Sequence, residues 1–250
     1  MVVLALAGGI AAAPAAAQSP EPPVATPTPA PTPDPAAQLP ARPRPTSRSA
    51  YTARLLKPTA ARVRPGSGRT LQVIGTRAPW WGGPNVLLVL DARVVDGTGY
   101  VKVLLKRMPA GSKGWIRADR VDLQHTAQRV VVDLSDRTVM VQRKGRNVLR
   151  ARVIVGAPVT PTPTGLFAVD APVDLPGGNE LGRRILAITA YSRKLARYQG
   201  GIPQIAFHEY EQLGAPLGVA ASHGCIRMSR ATLRTLRRSV PRGTPVLIRP

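Results

Sequence analysis

Between residues 52 and 123, short Val/Leu/Ile runs recur between turn-forming clusters: Pro65-Gly66-Ser67-Gly68, Gly82-Gly83-Pro84-Asn85, Asp96-Gly97-Thr98-Gly99 and Ala110-Gly111-Ser112. Turns at that frequency predict a small antiparallel barrel. Strands continue at Val130–Leu134, Val139–Gln142 and Val148–Val155, which are rich in β-branched residues. Ser135-Asp136-Arg137 and Lys144-Gly145-Arg146 supply the turns between them. A helical period appears only near the C-terminus, over Arg230–Arg238, with Ser229 as its N-cap, Leu233 and Leu236 on the apolar face and Arg on the other. Pro241 stops that helix, and Val246-Leu247-Ile248 reads as a final strand. The fold class is therefore mainly β with one short C-terminal helix.

The first 50 residues have a different pattern. Residues 1–17 are an apolar run ending in Ala15-Ala16-Ala17 before Gln18, the small-x-small pattern of a signal-peptidase site, and they are too short to span a bilayer. They predict export, so the protein is expected to be secreted into the bacterial envelope, periplasm or cell wall, with no membrane span in the mature chain. No Lys or Arg precedes the run, which suggests a true start elsewhere. From Gln18 to Pro45 there are eleven prolines and few large apolar side chains, so this stretch cannot bury enough surface to offset chain entropy. Residues 18–50 are read as a semi-rigid linker, 51–126 as a first folded domain and 127–250 as a second.

Charge narrows the partners. The chain carries a formal +22, divided as +1 over residues 18–50, +9 over 51–126 and +12 over 127–250, with no basic block. Such a charge favours polyanions. Dispersed cations and only 4% aromatic residues oppose nucleic-acid recognition, leaving the anionic polymers of a bacterial envelope as candidate partners. A single cysteine excludes an internal disulfide, and three histidines leave little material for a metal site, so no metal and no cofactor are expected.

That cysteine, Cys225, sits in Ser222-His223-Gly224-Cys225-Ile226-Arg227-Met228, with His208 seventeen positions upstream. In an exported protein a lone thiol is either buried and inert or a nucleophile, and a nearby imidazole makes it thiolate near neutral pH. Gly224 permits a tight turn in which successive N–H groups form an oxyanion hole. A helix beginning at Arg230 would favour thiolate further if Cys225 lay near its N-terminus.

Ile205-Ala206-Phe207-His208, thirteen residues, then Ser222-His223-Gly224-Cys225-Ile226-Arg227-Met228-Ser229 resembles the signature of the L,D-transpeptidase family, also called the YkuD domain. Val155-Gly156 followed by Thr162-Pro163-Thr164-Gly165-Leu166-Phe167, and Glu180-Leu181-Gly182-Arg183, resemble two further family segments, so the likeness covers about residues 127–249. Gly99–Val103, Gly114–Ile116 and Val121–Leu123 resemble the closing strands of bacterial SH3-like domains, which bind cell-wall polymers or pack on a neighbouring enzyme domain.

The resemblance implies an acyltransferase acting on peptidoglycan stem peptides. Cys225 would form a thioester with a donor stem, and an acceptor amine would take the acyl group in a 3→3 cross-link or the attachment of a wall protein. His208 would move the protons and backbone N–H groups around His223, Gly224 and Cys225 would stabilise the oxyanion, so that Cys225, His208 and His223 are the catalytic set and Gly224, Arg227 and Ser222 the substrate-binding and oxyanion set. Arg227 has an equally good structural role, and Ser222 and Met228 read as structural, through a turn hydrogen bond and core packing. Glu209 stands where the family commonly has a small residue. If that position lines the groove, its carboxylate and that of Glu211 would alter acceptor choice or raise the pKa of His208. His125, at the domain junction, has no assigned role. A papain-like peptidase is disfavoured because its Cys precedes its His. The alternative is a non-catalytic wall-binding protein held by its basic surface and its SH3-like module.

Overall fold

A computed structural model describes residues 39–198, 200–209 and 215–250. The expected signal segment and most of the linker lie outside the described residues. Leu39 is partly buried against the core of the first sheet.

Seven antiparallel strands build that sheet: β1 (Ala50–Leu55), β2 (Thr59–Arg62), β3 (Thr70–Ile74), β4 (Val86–Val95), β5 (Thr98–Leu104), β6 (Lys113–Arg117) and β7 (Val121–Thr126). Their order is β3-β2-β6-β5-β4-β1-β7. The β4–β5 hairpin turns on Asp96 (φ +48°) and Gly97 (φ +68°), the left-handed pair that matches strand twist in a two-residue loop. Alternate residues Leu87, Val89, Val101, Val103 and Ile116 face inward and are fully buried. His125, at the end of β7, meets Ser49 Oγ through Nε2 at 3.0 Å and packs edge-on against Tyr51, a role in joining the entering chain to the sheet.

The second sheet holds eight strands, in the order β10-β9-β8-β17-β12-β13-β14-β16. β8 (Gln128–Asp133), β9 (Thr138–Arg143) and β10 (Arg146–Arg152) form the expected meander. Lys144 and Gly145, at φ +51° and +81°, make the second hairpin. β11 (Val155–Gly156) pairs with β15 (Ala220–Ser222) in a separate two-stranded ladder. Long strands β12 (Gly165–Asn179) and β13 (Gly182–Tyr191) form the centre, followed by β14 (Gln204–Glu209) and β16 (Ile226–Met228) at one edge. The last strand, β17 (Pro245–Arg249), inserts between β8 and β12 and runs parallel to β8.

The one α-helix among the described residues, α1 (Arg230–Ser239), begins where expected. Ser229 Oγ accepts from the Thr232 N–H at 3.2 Å, and Leu233 and Leu236 are buried in the core of the second sheet. Both sheets lie within one unit, Pro33–Pro250. Ala50, Leu88 and Leu104 of the first sheet pack against Ala168 of the second, and Lys106 forms an ion pair of 2.7 Å with Asp170, both side chains almost fully buried.

Candidate active site

β14 and β16 run side by side in parallel, with Phe207 opposite Ile226 and His208 opposite Arg227. Cys225, the residue before β16, therefore lies next to Ala206. Successive side chains of a strand point to opposite faces, so Gln204 and His208 share one face. They open into a cavity of about 130 Å³ that also receives Cys225, His223 and Arg227. The three predicted catalytic side chains thus meet in one pocket.

The Ser222–Cys225 turn is fixed from several sides. Ser222 Oγ donates to the Cys225 carbonyl (2.6 Å) and accepts from the Gly224 N–H (3.1 Å). Thr162 Oγ1 donates to the Gly224 carbonyl (2.9 Å), and Thr160 Oγ1 to that of Ser222 (3.1 Å). Gly224 adopts φ +113°, where a side chain is strained, and a Cβ would come within 3.1 Å of Ile205 Cδ1. The Thr-Pro-Thr segment reaches the turn because Gly156 has no Cβ, which would otherwise sit 2.4 Å from Thr160 O and Thr162 N. Ser222 is structural here, and the Gly224 N–H is already committed to it.

His208 is 1% exposed, and its Nδ1–H donates to the Glu209 backbone carbonyl at 2.8 Å. That bond selects the tautomer whose Nε2 is a free acceptor. Burial, reinforced by the Arg227 cation, lowers the His208 pKa to about 4, against smaller upward contributions from the Glu209 carbonyl and Glu180. Burial also pushes the Cys225 thiol up, opposed by a hydrogen bond from the Ala206 backbone and by Arg227. Desolvation therefore works against the charged form of both groups, opposing a thiolate rather than favouring it. In sequence, β16 stands between Cys225 and the first residue of the helix, Arg230.

Glu209 does not line this pocket. One residue beyond His208 on the strand, it faces the other side, where its carboxylate is 7% exposed and meets Arg230 Nε at 3.3 Å. The condition for a rise in the His208 pKa from its charge is therefore not met, and of Glu209 only the carbonyl acts on the ring; Glu211 lies outside the described residues.

Glu180, Tyr198 and Gln204 are among the lining residues not singled out individually from sequence. Glu180 sits at the β12–β13 turn and accepts a hydrogen bond from Tyr198 Oη, while the Tyr198 ring lies 6.4 Å from the exposed His223 ring. Burial and Glu180 raise the Tyr198 hydroxyl to about 12. Gln204, four residues before His208, could have been found from strand alternation. Tyr198 lies in a polar segment without periodicity and left no such signal. Among the described residues, no group of three or more His, Cys, Asp and Glu is placed to hold a metal ion.

Comparison with known proteins places this pocket in context. Residues 127–248 match the family model of the L,D-transpeptidase catalytic domain, YkuD. A Bacillus licheniformis protein named as an L,D-transpeptidase, YkuD, is 32% identical over 122 residues, covering 49% of this chain and 66% of that one. Among solved structures, an Enterococcus faecium L,D-transpeptidase Cys-to-Ser mutant is 22% identical, covering 49% of each chain with a TM-score of 0.38. An L,D-transpeptidase from Mycobacterium smegmatis is 16% identical, covering 66% of this chain and 90% of that one, also with a TM-score of 0.38. The chain thus spans less than two thirds of the Bacillus relative and about half of the Enterococcus protein. Over residues 127–248, the span that brings Cys225, His208 and His223 together, the chain matches the L,D-transpeptidase catalytic domain.

Proposed function

We propose that this protein is an exported peptidoglycan L,D-transpeptidase that works through a thioester on Cys225. The observation that carries the reading is the buried His208, with its Nδ1 proton given to a backbone carbonyl, in the same pocket as the only thiol. A neutral imidazole with an open Nε2 takes the thiol proton as sulfur attacks the carbonyl between the third stem residue and D-Ala. Because the Gly224 N–H is held by Ser222, the oxyanion falls to the N–H groups of His223 and Cys225. Collapse breaks the C–N bond, and His208 returns its proton to the departing D-Ala amine. The acceptor amine then attacks the thioester, loses its proton to His208, and the proton passes back to the thiolate as the new amide forms. Arg227, at the pocket wall, offers its guanidinium to a substrate carboxylate. The first sheet is read as an SH3-like module supporting this domain.

The test is intact-mass spectrometry after incubation with a carbapenem, an acylating β-lactam. One adduct is expected on the wild-type chain and none on Cys225→Ala. No adduct on the wild type, or the same adduct on the variant, overturns the assignment in favour of a non-catalytic wall-binding protein. Muropeptide analysis of cells with and without the protein then separates cross-linking from protein attachment.

A further inference from the structure

The helix that follows the nucleophile motif is built against its own local rules. Arg230, Arg234 and Arg238 recur every four residues, so like charges stack along one face, a destabilising arrangement in an isolated helix. Arg230 is also the first helical residue, where the dipole favours an anion, and no acidic residue occupies the first turn. Local choices that oppose their own element are expected where function demands them.

These side chains converge. With Arg237, and with Arg184 from β13, they line a cavity of about 460 Å³ whose wall includes the buried Leu233 and the exposed Pro172. Two carboxylates share the cavity, and both are engaged. Asp174 meets Arg237 at 2.9 Å and Arg184 at 3.5 Å, and Glu209 meets Arg230. Arg237 is further fixed by donating to the carbonyls of Val173 (2.7 Å) and Ile185 (3.3 Å). Arg234 and Arg238 have no carboxylate partner among the described residues, so the described lining carries five cations against two anions. Glu209 therefore belongs to this cavity, on the opposite face of β14 from His208.

We propose that this cavity is a binding site for a phosphodiester-linked polyol, a polyanion without bases. Guanidinium groups match phosphate oxygens in a two-pronged geometry, and a row of them one helical turn apart suits a repeating phosphate. A lipid surface is disfavoured because the helix has no apolar face to insert: Leu233 and Leu236 are buried at 1% and 0% exposure. A nucleic acid is disfavoured because, among the described residues, no aromatic ring lines the cavity to stack a base.

The test uses the full chain and fluorescently labelled poly(glycerol phosphate), with binding followed by anisotropy across a salt series. The double variant Arg234→Gln/Arg238→Gln is expected to weaken binding about tenfold and to lower the salt slope by about 1.4, two charges at roughly 0.7 each. The variant Arg143→Gln/Arg146→Gln, which removes the same charge from the β9–β10 hairpin, should change affinity less than about twofold. Arg234→Lys/Arg238→Lys keeps the charge and should fall between wild type and the Gln pair. Equal losses in the two Gln pairs would overturn the site in favour of diffuse charge. Tighter wild-type binding to phosphatidylglycerol vesicles or to oligodeoxythymidylate would overturn the ligand class. None of these readouts depends on Cys225, so the outcome is independent of the proposed transferase activity.

Discussion

At the scale of single residues, burial disfavours the charged forms of both Cys225 and His208, and this has measurable consequences. A pre-formed thiolate would alkylate at constant rate well below neutral pH. Here the thiol sits above its ordinary value of 9, so alkylation of Cys225 by iodoacetamide should keep rising with pH beyond that value. Arg227→Gln removes a cation that lowers both groups, so the His208 and Cys225 pKa values should both rise, readable from histidine ring shifts and the alkylation profile. His208 also links stability to pH. Its folded value of about 4 lies below the ordinary 6.5, so between those values the unfolded chain takes up a proton that the folded site refuses. Stability is fully present above pH 6.5 and is lost as pH falls toward 4, by about 3 kcal/mol in all. His208→Gln should remove that slope from urea titrations taken across the window.

Much of this site was legible in the sequence because its residues are close along the chain. Ser222–Cys225 is one turn, and His208 lies one strand away. Glu209 is next to His208 in sequence without sharing its pocket. On a strand the next residue faces away, and applying the two-residue period to Gln204, His208 and Glu209 together would have put the first two in the pocket and the third behind it.

At the scale of elements, local signals located those strands and that helix whose neighbours in sequence are also their neighbours in space. β8, β9 and β10 are joined by tight turns, and α1 announces itself through Ser229 and Pro241. β12 and β13 did not stand out, because they lie mid-sheet with runs such as Phe167–Ala171 and Ile185–Tyr191 buried on both faces, which erases alternation. Nothing local indicates that β17 completes the centre of the sheet beside β8, more than a hundred residues earlier. α1 itself offers a clean test of a local signal. Ser229→Ala leaves the Thr232 N–H without its cap and should lower stability by about 1 kcal/mol in chemical denaturation, without changing Cys225 alkylation.

At the scale of the whole molecule, the first sheet is tied to the second through groups that end at the pocket. Lys106, beyond β5, pairs with Asp170 of β12, and Asp170 accepts from Gln204 Nε2 at 2.8 Å. Gln204 also donates to the Ile188 carbonyl (2.9 Å) and accepts from the Trp81 indole N–H (2.6 Å), so residues of the first sheet and its loops fix a side chain that lines the cavity. The Lys106–Asp170 pair is almost fully buried, and burial outweighs the Asp170 charge in lowering the Lys106 pKa. Such a pair adds little net stability over an apolar contact, but losing one member leaves the other charged and unpaired. Lys106→Met should therefore lower stability by roughly 3–5 kcal/mol, while Lys106→Met/Asp170→Leu should recover most of that loss. If the two sheets fold as one cooperative unit, fluorescence of Trp115 in the first sheet and alkylation of Cys225 in the second will report the same midpoint in every variant. Separate midpoints in Lys106→Met would instead show that this pair is what couples the sheets. The double variant loses the Asp170 acceptor of Gln204, so restored stability with slowed acylation would assign the polar pair to the pocket rather than to the fold.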